Sequence, residues 1–86
     1  NMNIIKQLIE NHGYVTSSDL IVLEKEFPNL QLVIKWGCSP RTIHPAKDVK
    51  KVIENAMKVD SREYAREVFL SANQLDAMKA ALGTSF

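Results

Sequence analysis

LQLVIKWGCSPRTI, Leu30 to Ile43, is the stretch on which the fold turns. It can be read with two periods. Leu30, Val33 and Ile34 share one side of a helix that Asn29 would cap. Leu30, Leu32, Ile34 and Trp36 also occupy every second position, the spacing of a half-buried strand. On the second reading a hairpin turns at Gly37-Cys38-Ser39-Pro40 and returns through Arg41-Ile43. The helical period is the one carried forward, with the hairpin as the alternative.

Outward from this stretch the helical signals are plainer. Ile4, Ile5, Leu8 and Ile9 recur at helical spacing, and Gly13 can take the left-handed conformation that ends a helix, so the spacing predicts a helix over 2–12. Thr16 is placed to cap a second helix over 17–26, with Asp19 in its first turn and Val15 and Leu20 at the staple positions. Pro28 stops it by pushing Phe27 toward an extended backbone. Val49, Val52, Ile53, Ala56 and Met57 form the stripe of a helix over 45–58, with Pro45 in its first turn and Lys47, Lys50, Lys51, Glu54 and Lys58 off the stripe. Asp60 and Glu63 pair as a capping box, with Val59 and Tyr64 as staple, ahead of a stripe of Tyr64, Ala65, Val68, Phe69 and Ala72. Ser71 and Gln74 repeat the box before a last helix carrying Leu75, Met78, Ala81 and Leu82 and ended by Gly83. The expected fold is therefore all-α: a single domain over 1–86, built as a compact bundle of five or six short helices. The alternative is α+β, with a short hairpin at residues 30–44.

Composition limits the function classes. A chain of 86 residues makes one domain with a thin margin of stability, for which a homodimer is a reasonable expectation. Apolar residues make up 45% and charged residues 24%, far from a disordered composition. Asn1 ahead of Met2 reads as an added residue before a native start. No apolar run is long enough to span a bilayer and no secretory leader is visible, so no membrane partner is expected. Cys38 is the single cysteine, which excludes an intramolecular disulfide and, with the rest, points to a reducing, cytoplasmic setting.

The net charge of +1 is unevenly spread. Residues 35–51 carry Lys35, Arg41, Lys47, Lys50 and Lys51 against Asp48 alone, whereas residues 1–34 carry Lys6 and Lys25 against Glu10, Asp19, Glu24 and Glu26. A local cationic excess of this kind suits an anionic partner.

Read as helix, Gly37 turn, Ser39-Pro40 start and Thr42-Ile43, residues 30–43 resemble helix-turn-helix DNA-binding domains. The resemblance covers these fourteen residues and points to no particular family. It implies a helix-turn-helix-like centre to the bundle, with Cys38 packed inward and Ser39 capping the second helix. It further implies duplex DNA as partner and a role as a small DNA-binding regulator. Lys35, Arg41, Lys47, Lys50 and Lys51 would meet phosphates, and Arg41, Thr42 and His44 would reach base edges. Pro45 argues against it, because an interior proline costs about 3 kcal/mol: either the recognition helix starts at Thr42 with Pro45 still in its first turn, or the motif is not a recognition helix.

The competing function is a small helical protein-interaction module, an adaptor or inhibitor. Trp36 is its candidate anchor, with Tyr14, Tyr64 and Phe86 as further aromatic contacts. Catalysis is not expected. Cys38 with His12 or His44 could make a nucleophile and base, but no separate signature supports the pair. The histidines and cysteine lack metal-ligand spacing, and the three glycines are too dispersed for a phosphate loop, so neither a metal site nor a cofactor is expected.

Overall fold

The computed structural model describes residues 2–37, 40–59 and 66–83. In chain order it has α1 (Met2–Glu10), β1 (Tyr14–Val15), α2 (Ser17–Glu26), β2 (Gln31–Lys35), β3 (Thr42–Pro45), α3 (Ala46–Val59), β4 (Glu67–Leu70) and α4 (Ala72–Leu82). The four strands form one antiparallel sheet in the order β1-β4-β2-β3. The fold is thus α+β, and the all-α bundle expected from the sequence is corrected.

Two segments account for the correction. Residues 30–43 are not a helix-turn-helix: β2 and β3 pair as a hairpin, with Leu32 opposite His44 and Ile34 opposite Thr42. A helix over 29–36 would be too short to hold itself together in water. As a strand, the same residues gain partners on both sides, β3 and β4, and bury Leu32 and Ile34 completely. Pro45, awkward in a recognition helix, ends β3 instead. The second segment is Glu67–Leu70. Val68 and Phe69, expected side by side on a helical stripe, point to opposite faces of β4. Asp60, Glu63 and Tyr64, which were to start that helix, lie outside the described residues, as do Cys38, Ser39 and Phe86.

Several of the other local signals act as read. At the end of α1, His12 (φ 58°) and Gly13 (φ 89°) take positive φ, and the Gly13 N–H donates to the Leu8 carbonyl at 2.8 Å. The chain thereby reverses into β1. Thr16 caps α2 in a full capping box: its hydroxyl accepts from the Asp19 N–H, and the buried Asp19 carboxylate accepts from the Thr16 N–H. At α4, the Ser71 hydroxyl accepts the Gln74 N–H, and Gly83 closes the helix in the left-handed region. Only half of that box forms, because the buried Gln74 Oε1 has no hydrogen-bond partner among the described residues. The first amides of α3 are satisfied by the chain before β2: the Ala46 N–H donates to the Leu30 carbonyl and the Lys47 N–H to the Pro28 carbonyl.

The core lies on one side of the sheet. Ile4, Ile5, Leu8 and Ile9 of α1, Leu23 of α2, and Ala46 and Val49 of α3 cluster with Val15, Leu32, Ile34, Val68 and Leu70. Among the described residues, the helix α4 adds the half-buried Leu75 and Met78 to that cluster. No helix among the described residues is long and apolar enough to cross a membrane.

Candidate functional site

Strand geometry fixes what the other side of the sheet displays. Side chains alternate between faces, and directly paired residues share a face. Since Leu32, Ile34, Val68 and Leu70 point into the core, Val33 and Phe69 point away from it. Tyr14 pairs with Phe69, Phe69 with Val33, and Val33 with Ile43. These four residues therefore make one row across all four strands. With strands about 4.8 Å apart, the row runs about 14 Å. Its ends are open to solvent: Tyr14 is 39% exposed and Ile43 is 62% exposed, while Val33 and Phe69 are half-buried. The Tyr14 and Phe69 rings meet edge to face, centroids 5.5 Å apart and planes at 65°.

A groove of about 570 Å³ lies over this face. Val33, Ile43 and Phe69 form its floor, and Ala72 and Leu75 at the start of α4 form one wall. His12, held in the α1–β1 reversal, also lines it. Lys35 and Arg41 line it too, and both are exposed. Among the described residues, no carboxylate lines the groove. Glu67, opposite Lys35 in register, lines a different depression with Tyr14, Thr16 and Arg66.

The cationic segment picked out from the sequence is divided by the fold. Lys35 and Arg41 stand at the sheet groove. Lys47, Lys50 and Lys51 line another groove, on the helical side, together with Glu24 and Glu54. Because α3 packs on the core side of the sheet, its outward lysines look away from the open face.

The expected base-reading residues are divided as well. Arg41 reaches the sheet groove. Thr42 lies on the core side, opposite Ile34, and its hydroxyl accepts the Trp36 Nε1–H at 2.9 Å. His44 stands opposite Leu32, half-buried, with its Nε2 buried and without a hydrogen-bond partner among the described residues. Trp36, the candidate anchor, is half-buried and packs against the core. None of these three faces the open side as a DNA- or partner-reading group would.

Sequence reasoning missed Val33 and Phe69 as surface residues, because both were placed on inward helical stripes. The signal lay in the short alternations of QLVIK and EVFL, which separate Val33 and Phe69 from their buried neighbours only once the segments are taken as strands. No three of the described His, Cys, Asp and Glu residues group as metal ligands would. No family model, curated protein or solved structure matches this chain.

Proposed function

We propose that this protein binds nucleic acid through the open face of its sheet, with Lys35 and Arg41 meeting phosphates and the Tyr14–Phe69–Val33–Ile43 row meeting the nucleotides. The observation that carries the reading is the charge of the groove: Lys35 and Arg41 beside Val33, Ile43 and Phe69, with no carboxylate lining it among the described residues, while Glu67 lines the neighbouring depression with Tyr14. A polyanion gains at such a surface by releasing counterions, whereas the helical lysines are already interleaved with Glu24 and Glu54. The protein acts by binding and not by catalysis; Ser71, a hydroxyl lining the groove, is engaged as the cap of α4. The lone Cys38 suits a reducing compartment, and the cytoplasm is the setting we assign.

The test is retention of short labelled nucleic acids, single-stranded and duplex, across a salt series. Binding should weaken as salt rises. Lys35→Glu with Arg41→Glu should abolish it. Lys50→Glu with Lys51→Glu should leave affinity within about threefold, because those charges lie on the other side and contribute at most long-range attraction. Loss through the helical pair alone would overturn the sheet-face assignment, and no binding by the wild type would overturn the function.

A second reading keeps the surface and changes the partner. Ile43, at 62% exposed, is a large apolar residue on an outer strand, as a protein-interaction surface would use. On that reading binding to a partner protein persists at high salt and nucleic acid is not retained.

A further inference from the structure

We infer that the strand received by the sheet groove is single, with two or three bases lying across the Tyr14–Phe69–Val33–Ile43 row and its backbone passing Lys35 and Arg41. This deepens the proposed function and rests on it. Three features of the groove select a single strand over a duplex.

The first is what the surface offers to contact. In a duplex the faces of the bases are stacked on one another, and a protein reaches only base edges, by inserting a helix or a ribbon into a groove. Here two of the three expected edge readers are turned away: the Thr42 hydroxyl is held by Trp36, and the His44 Nε2 is buried on the core side, which leaves Arg41 at the groove with Lys35 and His12. Between these charged groups the open face offers the ring and aliphatic surface of Tyr14, Phe69, Val33 and Ile43. Such surface binds the faces of unstacked bases, and every base has a face to offer.

The second is shape. The floor residues Val33 and Phe69 are half-buried below the ends of the row, and the start of α4 stands along one side through Ala72 and Leu75. Splayed bases can enter a walled trough, whereas a rigid duplex cylinder would rest on its rim. The row of about 14 Å has room for two or three bases. The edge-to-face contact of Tyr14 with Phe69 also leaves ring faces unused, where an offset stack would have covered one face of each ring.

The third is charge. Duplex DNA carries a phosphate every ~1.7 Å of axis, and proteins that hold it place many cations along it. This groove supplies Lys35 and Arg41. Two phosphate contacts are few for a duplex and sufficient for a short single strand whose bases supply the rest. They fix a shallow salt dependence, a slope of log affinity against log salt of about −1.4.

The experiment measures fluorescence anisotropy of the full chain with four probes of one length, about eight nucleotides. These are oligothymidylate, oligouridylate, a duplex, and an oligonucleotide whose sugars carry no bases. Oligothymidylate, oligouridylate or both should bind, and comparing the two tells DNA from RNA as the natural source. The duplex and the baseless strand should bind at least about tenfold more weakly. Tyr14→Leu and Phe69→Leu, which keep apolar bulk, should each weaken binding to the single strand by at least about fivefold and leave the baseless probe unchanged. Equal binding of the baseless strand, or tighter binding of the duplex, overturns this inference and leaves nucleic-acid binding standing. Failure of all four probes removes both. The probe comparison uses the wild type, so the inference is decided even where a leucine variant fails to fold.

Discussion

Lys35 and Arg41 on the sheet, and Lys47, Lys50 and Lys51 on α3, are near neighbours in the chain and live in different electrostatic company. On β2 and its partner the pleat gives each side chain neighbours from other strands, so Lys35 shares a face with Val33 and lines one groove with Arg41 and Ile43. On α3 each lysine has neighbours one turn away and on the packed helix: Glu54 is four residues on from Lys50, and Glu24 comes across from α2. Lys35 and Arg41 thus line a groove that holds no carboxylate among the described residues, with Glu67 opposite Lys35 at its border, whereas the three lysines of α3 share their groove with Glu24 and Glu54. A count along the sequence cannot separate the two, because it is the secondary structure that chooses each charge's neighbours.

The comparison breaks most sharply on β2 itself, where adjacent residues fall on opposite sides. Leu32 is fully buried, and Leu32→Ala should cost about 2–5 kcal/mol of stability. Val33 is half-buried on the open face, and Val33→Ala should cost under about 1 kcal/mol while weakening binding. Urea unfolding of the two variants measures the difference. Equal costs would mean that the open face is covered by something else, and the groove reading would fail with it.

How much of this was legible follows from the range of the interactions involved. Elements set by neighbours in the chain were readable. The capping box of Thr16 and Asp19 starts α2 at Ser17, the apolar stripe containing Val49 marks α3, and Gly83 ends α4. The strands were not readable in the same way. The two residues of β1 carry no period at all, and β4 takes its identity from Leu32 and Ile34, which precede Leu70 and Val68 by more than thirty residues. Leu30–Ile43 contained both periods, and only long-range pairing could choose between them. The site inherited that uncertainty. Lys35 and Arg41 were identifiable as cations, but their shared groove and its aromatic row exist only once four separated segments are placed side by side.

Gly13 tests the joint between the two sides. It stands at φ 89°, and its carbonyl accepts the Leu70 N–H at 2.8 Å, fastening β1 beside β4. A Cβ there would meet Leu70 and Leu75 at ordinary contact distance, so the penalty of Gly13→Ala is conformational, about 1–2 kcal/mol. In a domain of this size each kcal/mol lowers the melting temperature by roughly 4–8 °C. Because Tyr14 hangs from this joint, the variant should also weaken single-strand binding. A melting temperature unchanged within a degree would show that the reversal into β1 does not depend on glycine.

His44 gives the smallest effect and the sharpest division of roles. As a recognition residue it would be needed for binding and free to change in stability terms. The fold puts it on the core side, opposite Leu32, with Nε2 buried and no hydrogen-bond partner among the described residues. A buried polar atom in that state costs stability, and replacing it with an apolar group of similar size removes the cost. His44→Leu should therefore raise stability by about 1 kcal/mol. It should leave the affinity for oligothymidylate unchanged, since the ring does not reach the open face. Calorimetric melting and anisotropy on one preparation measure both quantities. Lost affinity at unchanged stability would return His44 to the binding surface and dissolve the separation between the two sides of the sheet. A gain in stability with affinity intact assigns this histidine to the packing beneath the sheet and leaves Arg41, three residues earlier, as the cation that lines the groove on the open face.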